Sequence, residues 1–263
     1  MTVALARLEQ SLTALTRAKR LGLVAYLMAG YPDADATLRL GRIAVDGGAD
    51  VLELGVPFSD PLADGATVQR ASERALANGM TVADVIAIAR DLRRERDVPI
   101  LLMGYANPFY RYGLPELARD LAAAGVEGLI VPDLPHEESS DLAAALAPAG
   151  LTQICLVAPT TPDDRLARLV PPARGFVYCV SLTGVTGARA ALADDVATFV
   201  ARVRRYATAP VAVGFGISRP EHVRALRGVA DAVVVGSALI DAIDRGGEHE
   251  LSSLVRALRE ATA

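Results

Sequence analysis

The sequence predicts an α/β fold, a (β/α)8 TIM barrel of eight parallel strands with an extra helix at its N-terminus. Short apolar runs alternate with amphipathic segments along the chain, and there are eight such runs. The length of 263 residues matches the roughly 250 residues typical of one barrel. No low-complexity linker or break in composition divides the chain, so a single domain covering residues 1–263 is expected.

The elements follow from hydrophobic periodicity. The strand candidates are 21–28, 50–55, 98–103, 127–131, 151–157, 175–180, 210–214 and 231–235. The helix candidates lie near 3–18, 33–47, 64–96, 114–125, 136–149, 162–170, 191–206, 218–228 and 237–260. Gly125 and Gly150 stand where helices should stop. The alternative, an open doubly wound sheet, should have a glycine-rich turn after its first strand, and residues 29–32 (AGYP) are not one.

Composition excludes several classes of function. Hydrophobic residues make up 52% of the chain and tryptophan is absent, so the core must be mainly aliphatic. The net charge is −4 and no basic stripe follows a helix face, so neither nucleic-acid nor membrane binding is expected. No apolar run near the N-terminus is long enough for a signal or a membrane span. Cys155 and Cys179 fall inside apolar strand candidates, which predicts core positions and a reducing, cytoplasmic location.

The most informative segment is residues 52–65 (LELGVPFSDPLADG), where an apolar strand continues into a proline- and glycine-rich loop. Side chains alternate along a strand, so Glu53 faces away from Leu52 and Leu54. A carboxyl group in a closed, mostly apolar space should have a raised pKa, which suits a general acid/base near neutral pH. The alternative is a buried ion pair, although no strand-borne Lys or Arg is available inside the barrel.

Polar residues and glycines concentrate at the predicted carboxyl ends of the strands, where the active sites of such barrels lie. They are Tyr26, Glu53, Asp60, Asp64, Tyr105, Asn107, Asp133, Tyr178, Gly214, Phe215, Gly216, Gly236 and Ser237. At the amino ends of the predicted strands the sequence predicts only ordinary helix-to-strand turns. The sequence therefore predicts a functional site at one end of the barrel.

Three glycine-bearing loops predict a phosphate site at one side of this rim: 183–187 (TGVTG), 214–216 (GFG) and 236–237 (GS). Glycine lets backbone N–H groups approach a ligand closely, and the helix that follows the last strand adds a favourable N-terminal partial charge. Phosphate bound after strands 7 and 8 recurs in this architecture. The alternative is that these glycines only permit tight turns.

The chain excludes two common kinds of chemistry. Its one lysine, Lys19, precedes the first strand and so lies at the opposite rim, which excludes a Schiff base in the site. His136, His222 and His249 lie on separate predicted helices without metal-ligand spacing, so no metal site is expected. Dinucleotide fingerprints are also missing from the sequence. Carboxylates, tyrosines and a phosphate cradle remain, and they suit proton transfer on a phosphorylated substrate.

Over essentially its whole length the chain resembles the tryptophan synthase α chain family. Residues 52–65 are the most specific motif. The secondary motifs are 25–32 (AYLMAGYP), 105–108 (YANP), 132–135 (PDLP), 181–187 (SLTGVTG), 214–218 (GFGIS) and 236–238 (GSA). The resemblance implies a carbon–carbon lyase that cleaves indole-3-glycerol phosphate to indole and D-glyceraldehyde 3-phosphate. Protonation of the indole at C3 lets the bond break without a lysine or a metal.

The resemblance also implies residue roles. Glu53 would be the general acid/base at C3 and at the glyceryl hydroxyl, Asp64 would accept a hydrogen bond from the indole N–H, and Tyr178 would line the site. Substrate contacts are implied for Tyr26, Thr186, Gly187, Phe215, Gly216, Gly236 and Ser237. Of these, Tyr26 and Phe215 would flank the indole ring. From the residues alone, Asp64 could instead cap the following helix, and Tyr178 could be plain core with Cys179 facing the helices.

A β chain that carries pyridoxal phosphate is the partner that the resemblance implies, in an α2β2 heterotetramer. Indole would pass to it through a tunnel, and this chain would need no cofactor of its own. The implied contact residues are Pro57, Asp60, Asn107, Pro108 and Asp133. Closure of the loop 182–193 over the substrate is also expected.

Three other functional interpretations stay open at this point. The chain could be a phosphate-binding barrel for another metabolite, such as a sugar-phosphate isomerase. It could be a silent α-type subunit that only activates a β partner, although Glu53 and Asp64 are both intact. It could also be a stand-alone indole-releasing lyase. Ala66, where the family usually has proline, and the Met28-Ala29 loop depart from the family pattern near the site.

Overall fold

The computed structural model describes residues 3–180, 189–214 and 216–263. The described residues form nine strands, all paired in parallel in the order β5-β4-β3-β2-β1-β9-β8-β7-β6. The strands are β1 (Gly22–Met28), β2 (Val51–Gly55), β3 (Ile100–Met103), β4 (Gly128–Ile130), β5 (Thr152–Gln153), β6 (Cys155–Val157), β7 (Val177–Val180), β8 (Val211–Gly214) and β9 (Ala232–Val235).

One predicted strand, 151–157, is divided into β5 and β6, and this division closes the barrel. Gln153 pairs with Leu129 of β4, whereas Cys155 pairs with Val177 of β7. Ile154, between them, donates its backbone N–H to the carbonyl of Leu129 at 2.8 Å. The two ends of the sheet are thus consecutive in the chain, and the predicted eight-stranded TIM barrel is confirmed.

Helices surround the sheet. They are α1 (Val3–Arg17), α2 (Ala36–Asp46), α3 (Ala66–Ala77), α4 (Val82–Glu95), α5 (Ala106–Tyr112), α6 (Leu114–Ala124), α7 (Ser140–Leu146), α8 (Asp163–Leu169), α9 (Arg189–Arg204), α10 (Pro220–Ala225) and α11 (Ser237–Glu260), the last with a kink at Gly246 and Gly247. None of the helices in the described ranges is long and apolar enough to cross a membrane.

Two helix predictions were wrong in detail. The continuous helix expected over 64–96 is two helices, because Gly79 adopts φ +80° and Thr81 begins α4 with a capping box. The Thr81 hydroxyl accepts from the Asp84 N–H, and the Asp84 carboxylate accepts from the Thr81 N–H. Helix α5 is not among the helices predicted from the sequence.

Side chains alternate between two buried layers, as the period of a strand requires. Leu52 and Leu54 pack outward with residues of the helices, and Cys179 belongs to the same outer layer, as predicted. Val51 and Tyr178 belong to the inner cluster that fills the barrel. Glu53 is on the same side of β2 as Val51, so its carboxyl group points into the barrel.

The amino ends of the strands are closed by α1 and by buried acids that have partners. Leu8 and Leu12 of α1 are fully buried in the inner cluster. Asp50, Glu127 and Asp231 each precede a strand and accept the N–H of a residue in a neighbouring strand, at 2.9, 2.5 and 2.8 Å. Each of these acids also pairs with an arginine: Arg259, Arg7 and Arg204, respectively. This end of the barrel therefore contributes to stability.

Candidate active site

A cleft opens at the carboxyl ends of the strands, where the sequence predicted a site. It encloses about 140 Å³ of space that water can enter, and it is open to solvent on one side. The lining residues are Tyr26, Glu53, Asp64, Val68, Met103, Tyr178, Gly214, Gly216, Ile217, Val234, Gly236 and Ser237. The cleft is thus an apolar pocket with two carboxyl groups and two tyrosines.

Glu53 is the least compensated acid in the barrel. Its side chain is 1% exposed, and its Oε2 atom has no hydrogen-bond partner among the described residues. Burial, together with the smaller effect of the nearby negative charge of Asp64, raises the pKa of Glu53 to about 8. Glu53 is therefore mainly protonated at neutral pH and can donate a proton to a ligand in the cleft.

Asp64 has the opposite ionisation state. Burial raises its pKa to about 6, and a hydrogen bond from the Tyr105 hydroxyl acts in the lowering direction. The Tyr105 hydroxyl also accepts the N–H of Ala63 at 3.0 Å. This tyrosine is therefore bonded both to the Asp64 carboxyl group and to the backbone of the preceding residue. The two acids of the cleft thus differ: Asp64 is mostly ionised at pH 7 when Glu53 is mostly neutral.

The structure also answers the alternative interpretations of the two acids. Helix α3 begins at Ala66 with Gly65 as its N-cap, and no side chain in the described residues caps it. Asp64 is therefore not the cap of this helix. Within the described part of the chain no Lys or Arg forms an ion pair with Glu53, in contrast to Asp50, Glu127 and Asp231 at the opposite end of the barrel.

Two glycines make room for the two tyrosines of the cleft. A methyl group on Gly55 would overlap the Tyr26 hydroxyl, and one on Gly214 would come within 2.6 Å of the Tyr178 ring. Tyr26 and Tyr178 are both buried, and burial raises the pKa of each well above its usual value. Gly214, which the sequence suggested as part of a phosphate loop, thus serves as a packing partner of Tyr178.

The loops that the sequence predicts to bind phosphate are only partly within the described residues. Gly216, with φ +60°, and Gly236 line the cleft, and Ser237 is the first residue of α11. The N-terminus of this long helix therefore opens at the cleft, which suits an anion. Thr186, Gly187 and Phe215, like residues 182–188 of the predicted closing loop, lie outside the described residues.

The predicted partner residues lie around the mouth of the cleft and differ in exposure. Asp60, Asn107 and Asp133 are exposed, Pro108 is half-buried and Pro57 is buried. Asn107 and Pro108 are in α5, and Asp133 accepts the N–H of Ala106 at the start of that helix, at 2.9 Å. Leu62, on the same rim, is 94% exposed.

Sequence reasoning missed the apolar part of the site. Val68, Met103, Ile217 and Val234 line the cleft and were not predicted. Met103 and Val234 could have been found, because each occupies an inward position near the end of a predicted strand. Tyr105 was placed on the correct rim, but its contact with Asp64 depends on how two loops meet.

No group of three or more His, Cys, Asp or Glu side chains in the described ranges could hold a metal ion. His136 lies in a short 3-10 turn, while His222 and His249 are on α10 and α11. Cys155 and Cys179 are buried free thiols, and burial raises the pKa of both to about 12. The acidic groups that line the described cleft are the carboxyl groups of Glu53 and Asp64.

Comparisons with known proteins show the family of the chain. The family model for the tryptophan synthase alpha chain matches residues 12–262. The tryptophan synthase alpha chain of Roseiflexus castenholzii is 53% identical over 261 residues, which cover 97% of this chain and all of the relative. That of Chloroflexus aurantiacus is 47% identical, covering 97% of each chain.

Solved structures give the same result. Tryptophan synthase subunit alpha from Legionella pneumophila superposes with a TM-score of 0.90 at 35% identity, covering 97% of this chain and 98% of that one. A chain of Mycobacterium tuberculosis tryptophan synthase gives a TM-score of 0.91 at 39% identity, with the same coverage. With a matching barrel, a matching family model and relatives of nearly equal length, the chain belongs to the tryptophan synthase alpha chain family.

Proposed function

We propose that this chain cleaves indole-3-glycerol phosphate to indole and D-glyceraldehyde 3-phosphate, as the α subunit of tryptophan synthase. We also propose that the whole chain is one domain. The observation that carries the proposal is the pair of acids in one cleft, of which Glu53 is neutral and Asp64 ionised near pH 7. A reaction that needs both a proton donor and a fixed negative charge has both available there.

In the first step Glu53 donates its proton to C3 of the indole ring. The ring becomes an indoleninium cation with its positive charge shared by the ring nitrogen. Asp64 accepts the hydrogen bond from this N–H and stabilises the charge as it develops. Because the cleft is mostly apolar, this interaction is stronger than it would be in water.

In the second step the carbon–carbon bond breaks. The ionised Glu53 takes the proton of the glyceryl hydroxyl, so that this carbon becomes the aldehyde carbonyl. The electron pair of the broken bond returns to the ring and neutralises the indoleninium. One proton is given and one is taken back, so Glu53 is restored. Tyr26 and Tyr178, which are buried and line the cleft together with Glu53, limit access of water to this acid.

The phosphate group of the substrate is assigned to the glycine loops of the cleft, away from the two acids. Gly216, Gly236 and Ser237, with Thr186 and Gly187, bind the phosphate through backbone N–H and hydroxyl groups. Tyr26 and Phe215 flank the indole ring. The N-terminus of α11 and the apolar lining of Val68 and Val234 support this orientation, in which the ring lies near the two acids.

The partner is a tryptophan synthase β chain in an α2β2 heterotetramer, which carries pyridoxal phosphate and receives the indole, in the cytoplasm. Pro57, Asp60, Asn107, Pro108 and Asp133 form the contact surface. Of these residues, Asp60, Asn107 and Asp133 are exposed and so accessible to a partner. This chain itself uses no cofactor.

The test is to mix the purified chain with indole-3-glycerol phosphate and to follow indole, with and without a tryptophan synthase β chain. Slow release that rises sharply with the partner is expected. Fast release by the chain alone indicates a stand-alone lyase. Absence of indole in both mixtures overturns the proposed reaction, and stimulation of the β reaction would then indicate a silent subunit.

Glu53→Gln is the matched variant for this assay, because it keeps the size and removes the titrating proton. It should lower the turnover by about 10²–10⁴-fold with little change in substrate binding. Glu127→Gln is the control, since Glu127 is equally buried but lies at the opposite end of the barrel. Full activity of Glu53→Gln would exclude the assigned role.

A further inference from the structure

A cluster of polar and charged side chains joins α3 to α11 beside the cleft. Arg70 of α3 donates to Asp244 Oδ2 at 2.6 Å, and its Nη2 lies 3.8 Å from Asp241 Oδ1. The Thr67 hydroxyl donates to the same oxygen of Asp241 at 3.3 Å. The Tyr31 hydroxyl donates to Asp244 Oδ1. We call these five residues the α3–α11 clamp.

The two clamped helices carry the two ends of the cleft. Helix α3 begins two residues after Asp64, and the Gln69 side chain on α3 donates to the Asp64 carbonyl at 2.9 Å, so Asp64 moves with this helix. Helix α11 begins at Ser237, and the clamp acids Asp241 and Asp244 lie within its first turns. A shift of α3 along α11 would therefore change the distance between Asp64 and Ser237.

The clamp links more groups than an ordinary surface ion pair does, although the Arg70 side chain is 51% exposed and that of Asp241 45%. Tyr31 is 8% exposed, and the Asp244 side chain, which contacts both Tyr31 and Arg70, is 27% exposed. The clamp also contains two acids, a hydroxyl and a phenol around one guanidinium, and linked groups hold their geometry better than isolated pairs do. Arg70 itself does not line the cleft.

We propose that the α3–α11 clamp is a positioning device, with Arg70 as its central residue, that sets the placement of Asp64 relative to the phosphate end of the cleft. The inference rests on the proposed function for the roles of Asp64 and Ser237. Arg70 acts through these residues and touches no reacting atom. A substrate held by its phosphate at α11 meets Asp64 in the correct place only while α3 is clamped to α11.

The kinetic test compares Arg70→Met with Arg42→Met. Arg42 pairs with Glu95 at 2.6 Å between α2 and α4, with similar exposure but away from the cleft. Arg70→Met should lower kcat for indole release by about 10-fold with KM changed less than about twofold, since displacement of a catalytic group by about 1 Å can cost up to about 100-fold. Arg42→Met should keep both constants.

Two further variants separate positioning from general stability. Both Met variants should lower the melting temperature by similar small amounts, because both remove an exposed ion pair. Arg70→Lys should recover part of kcat, because an ammonium group can still pair with Asp244 as a point charge. Equal kcat values for Arg70→Met and Arg42→Met would overturn the proposal.

Amide hydrogen exchange gives a readout that does not need turnover. In the unchanged chain glycerol phosphate, which can occupy only the phosphate end, should slow exchange over residues 58–70, and Arg70→Met should remove this effect. If glycerol phosphate protects nothing in this segment of the unchanged chain, the clamp proposal is wrong. If protection is seen but no indole forms, the clamp stands and the proposed reaction fails.

Discussion

At the scale of single residues, the contrast between Glu53 and the other buried acids is the main functional signal. Asp50 is half-buried and Glu127 is buried, and removal from water raises the pKa of each, to about 6 and about 7, but arginines and backbone N–H groups compensate them. Glu53 has neither kind of partner in the described residues, and its Oε2 is unpaired. A buried acid without compensation costs stability, so its presence in a cleft points to chemistry.

The two pKa values predict a bell-shaped pH dependence of kcat/KM. Below about pH 6 Asp64 binds a proton and can no longer stabilise the cationic ring, so activity falls. Above about pH 8 Glu53 loses the proton that it must donate, so activity falls again. The measurement is the initial rate of indole release at low substrate concentration between pH 5 and pH 10.

Asp64→Asn provides the control for this profile. It should lower the rate and remove the acid limb, while the alkaline limb stays because Glu53 is still present. The repulsion from Asp64 would also be gone, so the alkaline limb should lie at or below its original pH. A profile that keeps both limbs in this variant would contradict the assignment.

At the scale of elements, the end of α1 shows a residue in an unfavourable conformation. Lys19 has φ +55°, and it occupies the position after the helix that glycine usually takes. The Arg20 N–H bonds to the Leu15 carbonyl at 2.9 Å and the Lys19 N–H to that of Thr16 at 3.0 Å, which is the Schellman pattern. The backbone geometry at this helix end therefore favours a residue without a β-carbon.

Lys19→Gly should raise the free energy of unfolding by about 1 kcal/mol, since the strain of a left-handed residue exceeds the entropy that glycine loses. The measurement is urea denaturation, and Lys19→Ala, which keeps the β-carbon, should give no gain. Lys19 is the only lysine of the chain, so Lys19→Gly also tests the exclusion of a Schiff base. Loss of indole release in this variant would contradict that exclusion.

At the scale of the whole molecule, α1 closes the amino end of the barrel through one ion pair. Arg7 on α1 pairs with Glu127, which is fully buried before β4 and accepts the Ile100 N–H of β3. Arg7→Met should lower the free energy of unfolding at pH 8 by about 2–3 kcal/mol, because it leaves a buried carboxylate without its cation. The Arg7 side chain is 26% exposed and partly screened by solvent. The loss of free energy should therefore not exceed the lower limit of about 3 kcal/mol that is typical when a fully buried ion pair is broken.

This loss should depend on pH in a defined direction. Glu127 already has a raised pKa in the folded chain, and loss of Arg7 raises it further. The pKa of Glu127 in the unfolded chain is near 4.5. The free energy of unfolding of the variant, relative to the unchanged chain, therefore falls as the pH rises above this value, and the difference is small at pH 5. Urea midpoints at pH 5 and pH 8 check this, with Arg7→Met/Glu127→Gln as the control that should lose less at pH 8. Equal losses at both pH values would exclude a buried charge as the cause.

The sequence by itself determined the barrel, its strand positions and the rim that carries the site, because alternation and glycine punctuation are local properties of the chain. It also determined that Glu53 faces inward, since the period of a strand places residues 51 and 53 on one side. Only the tertiary structure decided that Glu53 lacks a partner while Asp50 and Glu127 have arginines, that Tyr105 bonds to Asp64, and that Arg70 joins α3 to α11. These contacts bring together residues that are distant in the chain, and their geometry depends on how helices and loops pack around the closed sheet.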